Sequence, residues 1–338
     1  MKGRALITGV SGFGGRHLAR HLLAAGWEVA GTSLSRSSGV AGLVEQRLAI
    51  DHRAGLTKLV AGFEPDVVFH LAAIVDTVTT PDVARLFQTN VMGTVSVLEA
   101  LREARSDARV VYASSAFAYG WTPPDAQPVR EEQPLRPLTA YGASKAASEA
   151  IVAAAVRGYG VDAVVARVFQ HTGPGHVGAY ALSDWARQLA EIAAGPGSGI
   201  IKCGNLDVER DYLDVRDVAA AYGTLALAGE AGETYNVASG HPRSMRSLLE
   251  GLIAAFGVDV EIDSEPRRVR LVDQPVFCGD PAKLKRRTDW KPEYELEQTL
   301  ADLGAFWLDR VALGDGGAGR RARPDRDRAL IESSPAGL

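Results

Sequence analysis

Residues 4–15 read Arg4-Ala5-Leu6-Ile7-Thr8-Gly9-Val10-Ser11-Gly12-Phe13-Gly14-Gly15, and a stretch with Leu18, Leu22 and Leu23 on one face follows. The apolar run 4–8 has the length and composition of a buried strand, and the spacing after residue 15 is helical. Glycines at 9, 12 and 15 let the chain turn tightly, let a pyrophosphate approach the backbone, and let the helix pack close on the strand. The helix N-terminus then offers unpaired N–H groups to phosphate. A glycine-rich turn alone is weak evidence. Between a strand and a helix it marks a dinucleotide site, with Gly9, Gly12, Phe13 and Gly15 as its contacts.

The pattern continues outward. Runs 28–33, 47–50, 67–71 and 109–114 read as strands, and 15–25, 54–62 and 81–102 as helices, followed by helix 141–159 and strand 162–167. Strands alternating with helices predict an α/β fold: a Rossmann-type doubly wound parallel sheet, helices on both faces, joined by right-handed crossovers. After Gln170 the texture changes, with a loop at His171-Thr172-Gly173-Pro174-Gly175, a helix near 179–194 and a Gly/Pro/Ser-rich stretch at 195–199. Segment 210–236 reads as a return to the main sheet, with a helix through 215–227 and a strand at 234–237. Segments 244–256, 258–262 and 295–308 predict a smaller C-terminal mixed α/β lobe. The expected division is a dinucleotide domain at 1–170, rejoined by 211–238, and a substrate lobe at 171–210 and 239–312. Residues 313–338, rich in Gly, Arg, Asp, Pro and Ser, read as a disordered tail.

At 338 residues, with 46% hydrophobic and 23% charged residues, the composition is that of a globular protein. A net charge of −4 provides no broad basic surface for nucleic acid or anionic membrane, so any bound phosphate must be met locally. No stretch reaches the roughly 18 apolar residues of a spanning helix. The only cysteines, Cys203 and Cys278, form no disulfide framework, and a cytoplasmic setting is expected. His17 and His21 are four apart, but no third ligand stands near them, so no metal site is expected.

Tyr141-Gly142-Ala143-Ser144-Lys145 places a phenol and an ammonium on one helical face. A lysine beside a phenol is expected to lower its pKa and suit it to proton transfer with a sugar or alcohol oxygen. Ser115 closes the strand 109–114, at the carboxyl edge where open α/β sheets bind ligands, and can hold the same oxygen. Strand 28–33 ends Ser33-Leu34-Ser35-Arg36 without the carboxylate that selects NAD. Ser33 and Arg36 are candidates for a 2′-phosphate, which favours NADP (NADPH) and leaves NAD open; a loop arginine also reads as merely solvated.

The motifs Thr8-Gly-x-x-Gly-Phe-x-Gly15, His70-Leu-Ala-Ala73, Asn90-Val-x-Gly-Thr94, Ser115 with Tyr119-Gly120, and Tyr141-x-x-x-Lys145 resemble the extended short-chain dehydrogenases that act on nucleotide sugars. Gly173-Pro-Gly175, Gly204-Asn-Leu206, Arg210-Asp-Tyr-Leu-Asp-Val-Arg-Asp217 and Tyr235-Asn-Val-Ala-Ser-Gly240 are similar to the branch holding the reductases of GDP-linked 4-keto-6-deoxy-mannose. The resemblance implies that Tyr141 protonates a C4 carbonyl oxygen, Ser115 holds it, and Lys145 holds the nicotinamide ribose. It places Asp51 at the adenine, where the residue also reads as a helix cap. Leu71, Ala72, Ala73 and Val168 would wall the dinucleotide. For the nucleotide sugar it points to Gln170, Asn205, Arg210, Arg270 and Asp273, although Arg210 beside Asp211 also reads as a surface ion pair. Dehydratases of this kind carry acidic groups just after the serine, and here Ala116 and Phe117 carry none. Reduction is therefore expected, with C4 epimerisation on tightly bound NAD, or a cofactor-binding regulatory protein, as alternatives. The family's Asn stands as Gln170 here, a change of one methylene at a substrate-facing position. The resemblance also implies a homodimer through helices 81–102 and 141–159.

Overall fold

The computed structural model describes residues 2–75, 82–195, 197–265 and 274–314. Its first half alternates β1 (Arg4–Thr8), α1 (Phe13–Ala24), β2 (Glu28–Ser33), β3 (Val44–Arg47), α2 (Arg53–Phe63), β4 (Val67–His70), α3 (Val83–Phe87), α4 (Gly93–Glu103), β5 (Arg109–Ser115), α5 (Ala140–Tyr159) and β6 (Ala163–Val168). Then come β7 (Gln170–Thr172), α6 (Ala181–Ala193), β8 (Ser198–Cys203), β9 (Glu209–Asp214), α7 (Val215–Ala228) and β10 (Thr234–Val237). The last elements are β11 (Pro242–Ser244), α8 (Met245–Phe256), β12 (Asp259–Ser264), β13 (Val276–Phe277), α9 (Ala282–Thr288) and α10 (Leu296–Ala312).

Seven parallel strands form the main sheet, in the order β10-β6-β5-β4-β1-β2-β3. Successive side chains leave a strand on opposite faces, and here both faces are apolar. Ile7, Phe69 and Val111 pack with Leu18 and Leu22 of α1 and Leu225 of α7. Their neighbours Leu6, Val68 and Val110 pack with Leu56 of α2, Leu101 of α4 and Val152 of α5. This two-sided burial is the sequence's continuous apolar runs made physical. The strand order reverses at β1, which opens a crevice at the carboxyl ends of β1 and β4.

Two expected elements lie elsewhere. The third strand occupies 44–47 rather than 47–50, because Val44-Glu45-Gln46-Arg47 forms the sheet edge and faces solvent, while Ile50 packs with the α2 layer. In segment 210–236, helix α7 packs on the main sheet and β10 joins it, as expected, but residues 210–214 do not. Strand β9 instead pairs with β7, β11 and β13 in a second sheet. Its buried Asp211 accepts from the Ser239, Gly240 and Gly279 N–H groups and the Ser239 hydroxyl, donors that loops supply and a doubly covered sheet does not.

Helices α6, α8 and α10 pack a separate core with Trp185, Leu189, Leu249, Leu303 and Trp307, alongside the parallel pair β8–β12. The expected helix 81–102 is described from Val83 onward, with a π-helical turn, Gln88–Met92, between α3 and α4. The expected contacts Arg270 and Asp273, and residues 315–338 of the expected tail, lie outside the described residues. Among the described residues no helix is long and apolar enough to cross a membrane.

Candidate active site

A single cleft of ≈ 2500 Å³ runs from the end of β2, past the glycine turn and the end of β5, to β9 and the start of α8. It is lined by Gly9, Gly12, Phe13, Gly15, Ser33, Arg36, Asp51, Leu71, Ala72, Ala73 and Val168, by Ser115, Tyr141 and Lys145, and by Gln170, Asn205 and Arg210. Every expected site residue within the described residues thus faces one space.

The glycine turn is built as its sequence requires. Gly9 has φ +74°, and a Cβ on Gly15 would stand 2.4 Å from the Gly9 carbonyl oxygen, so α1 sits directly on the turn. No side chain caps α1, whose N-cap is Gly12, and its first N–H groups open into the cleft where an anion would bind.

Below the turn lies a buried relay in which each proton is assigned. The Thr94 hydroxyl donates to the Asn90 carbonyl, so it accepts from Nε2–H of His70 at 3.0 Å. Nδ1 of His70 then accepts from the Thr8 hydroxyl at 2.8 Å, and Thr8 accepts from the Ala72 N–H. The relay ties the 71–73 wall to β1 and to the π-helical turn. Burial, with a smaller contribution from the Lys145 charge, pushes His70 down to about 3, so it stays neutral. Asn90, in that π-helical turn, fixes Ile74 through both backbone groups and donates to Ser144. Sequence reading quoted Asn90 as a motif residue without giving it this task.

At the end of β5, Ser115 accepts from the Phe117 N–H and stands close enough to the Tyr141 hydroxyl to favour its ionised form. What brings these elements together is Gly142: a Cβ there would lie 2.3 Å from the Phe117 carbonyl oxygen. Thr139 caps α5 by accepting from the Gly142 N–H at 3.0 Å, which sets the first turn and hence Tyr141. The expected lowering of Tyr141 is reversed. Burial outweighs the nearby Ser115 hydroxyl and pushes the phenol up to about 12. Lys145 is itself buried, pushed down to about 8 against the pull of Glu149, and donates to the Ala113 carbonyl at 2.7 Å. The phenol therefore rests protonated beside a cation.

Along α1, Arg16 and Arg20 crowd the cleft with Arg36 and Arg310, and the last three push Arg16 below the ordinary guanidinium range after burial has begun to. This is the local positive site that a chain of net charge −4 needs for phosphate. Glu45 is occupied by the loop, accepting from Ser37 and Ser38, and is outside the cleft lining. His52 rather than Asp51 caps α2, which leaves Asp51 facing the cleft. Opposite, the Phe13 ring stacks on His176 at 4.4 Å, and His17 donates to the Pro174 carbonyl at 2.9 Å, which joins the glycine turn to loop 173–180. Gln170 projects an amide oxygen that is buried without a hydrogen-bond partner. Arg210 is buried, not at the surface, and donates to the backbone oxygens of Glu209 and Gln274. Among the described residues no group of three or more His, Cys, Asp or Glu is placed to hold a metal.

The sequence pattern of the GDP-mannose 4,6 dehydratase family matches residues 6–303. The GDP-6-deoxy-D-mannose reductase of Pseudomonas aeruginosa is 34% identical over 92% of this chain and 99% of its own. The structure of RMD from Pseudomonas aeruginosa, complexed with NADPH, superimposes with a TM-score of 0.81 at 33% identity, covering 91% of this chain and 100% of that one. A UDP-glucose 4-epimerase of Mycolicibacterium smegmatis is 31% identical over 91% of this chain and 99% of its own.

Two histidines held neutral by burial carry a prediction about acid. His70 and His176 sit at about 3 in the folded chain against 6.5 as a free side chain, so between those values the unfolded chain binds more protons. Stability is therefore highest above pH 6.5 and falls as pH drops. Urea unfolding at pH 6.5 and 5 should show a loss of about 1–2 kcal/mol for each histidine. Half that loss would mean that one ring is protonated in the fold, and a flat profile that both are.

Proposed function

The chain belongs to the GDP-mannose 4,6-dehydratase family, and from that premise we propose that it reduces the 4-keto group of a GDP-linked 4-keto-6-deoxy sugar with NADPH. The observation that carries this reading is the convergence of Ser115, Tyr141 and Lys145 in the cleft, beside positions 116 and 117 that hold no titratable group. Removing water across C5–C6 requires a group that takes and gives protons there, and the methyl of Ala116 and the ring of Phe117 do neither.

The glycine turn, the bare N-terminus of α1 and the arginine cluster fit a dinucleotide carrying an additional phosphate. When bound, the dinucleotide supplies the hydride that arrives at C4. Tyr141, protonated at neutral pH, gives its proton to the carbonyl oxygen, and Ser115 holds that oxygen in line. The charge of Lys145 favours departure of the proton. Gln170 offers its unpartnered oxygen to a sugar hydroxyl, and Arg210 and Asn205 meet the nucleotide end, with Arg270 and Asp273 assigned to the same ligand. In this division of labour, 1–170 and 211–238 serve the dinucleotide, and 171–210 and 239–312 the sugar nucleotide. A reducing, cytoplasmic setting suits the two buried thiols.

The reading extends to assembly. Val83 and Met92 on the α3–α4 side and Ala150 and Ala154 on α5 are exposed, an apolar face that a second copy would cover in a homodimer.

NADPH absorbance, followed with the GDP-linked keto sugar, should fall steadily with the wild-type chain, and Tyr141→Phe should lower turnover by about 10² while dinucleotide affinity holds. Copurified NAD with no net oxidation would favour the epimerase instead. Arg36→Ala should weaken NADPH about tenfold more than NADH, because only NADPH carries the 2′-phosphate; equal losses would mark Arg36 as a solvated residue. Ala154→Arg should dissociate a dimer in light scattering and lower activity with it, and a fully active wild-type monomer would end the dimer reading.

A further inference from the structure

Tyr141, Lys145 and Glu149 lie at i, i+4 and i+8 on one face of α5, and all three are buried. The first two face the cleft, whereas Glu149 faces the back of the β5 strand end. Its carboxylate accepts from the Ser114 hydroxyl, one residue before Ser115, and from Arg167 in a forked arrangement, Nε at 3.0 Å to one oxygen and Nη2 at 2.7 Å to the other. Arg167 stands on β6 in register with Ser114. Its remaining nitrogen donates to the Tyr119 hydroxyl and the Glu131 carbonyl, and Tyr119 donates to Asn236. Every polar atom of the pair therefore has a partner, although neither residue reaches solvent appreciably.

A buried ion pair is a poor stability device, since apolar residues of similar volume usually serve as well or better. This pair connects the three pieces that must be held together: the helix bearing Tyr141 and Lys145, the strand end bearing Ser115, and the neighbouring strand. We propose that Glu149, locked by Arg167, is a positioning residue of the reacting centre, which fixes α5 against the Ser114–Ser115 strand end and keeps Lys145 charged. Around the Lys145 ammonium stand Tyr141 and Glu149 on its own helix, Tyr112 on β5 and neutral His70 on β4. Glu149 is the one group among these that favours its charge, against the burial that opposes it. Arg167 stands behind Glu149 and is neutralised by it.

Lys145 loses its charge as pH rises through its pKa near 8, so removing the Glu149 charge moves that loss to lower pH. The test is Glu149→Gln, which keeps the shape and deletes the charge. In the dinucleotide-free chain, an NMR titration of the Lys145 ε-carbon should end about one pH unit lower than in the wild type. With NADPH and keto sugar, kcat should fall about tenfold or more, its alkaline limb should move the same way, and KM should hold within about twofold. A folded variant in which the Lys145 titration and the alkaline limb both stay in place overturns the proposal. Should Glu149→Gln not fold, Glu149→Leu combined with Arg167→Met removes both charges at once, and both shifts are expected in the same direction but smaller, since no unopposed Arg167 charge remains. A double variant that titrates normally, or also fails to fold, assigns the pair to folding alone. The kinetic arm rests on the reductase reading; a wild-type chain inactive toward keto sugars would defeat that reading, and the Lys145 titration would still decide this one.

Discussion

The first turn of α5 cannot approach the end of β5 unless residue 142 has no side chain, and the candidate active site depends on that approach. The contact of Gly142 with the Phe117 carbonyl seats Tyr141 against Ser115. From there a helix of 3.6 residues per turn places Lys145 over the Ala113 carbonyl and Glu149 over Ser114 without further devices. The glycine turn at β1 works on the same principle at the other side of the crevice. Two backbone approaches that only glycine permits thus set the two walls between which a dinucleotide and a sugar meet.

Electrostatics then divides the cleft. Burial keeps His70 and His176 neutral, so they serve as fixed hydrogen-bonding spacers and carry no charge of their own. Burial also keeps the Tyr141 phenol protonated, which is the form a proton donor needs when reduction starts. Positive charge is concentrated where phosphate is expected, on Arg16, Arg20, Arg36 and Arg310. A chain with an excess of acidic residues overall thereby presents a cationic pocket at one end of its cleft.

The sheet was legible in the sequence because two-sided burial writes itself as unbroken apolar runs, as in β4 and β6. The edge strand Val44–Arg47 escaped that criterion because its two faces meet water. Strand β9 was not read as a strand at all, because its charged Glu209, Arg210, Asp211 and Asp214 hide the buried Leu213, and loop donors to Asp211 hold it in a second sheet. The reacting residues were legible because their chemistry is confined to a short spacing. Glu149 and Arg167 were not, since they are 18 positions apart and neither is unusual alone. The pKa direction of Tyr141 was misjudged because a neighbouring lysine is visible in sequence and desolvation is not. Asn90 was visible as a motif, yet its task emerges only when the π-helical turn aims it at Ile74.

In the proposed reduction the hydride ends on the sugar and the Tyr141 proton on its oxygen, with no return of either. NADPH bearing deuterium at its transferable C4 position, incubated with the GDP-linked 4-keto-6-deoxy sugar and the wild-type chain, tests it directly by mass spectrometry. One deuterium at sugar C4 is expected for each NADP formed. A product without deuterium, or interconversion of C4 configurations with no dinucleotide oxidised, would contradict it.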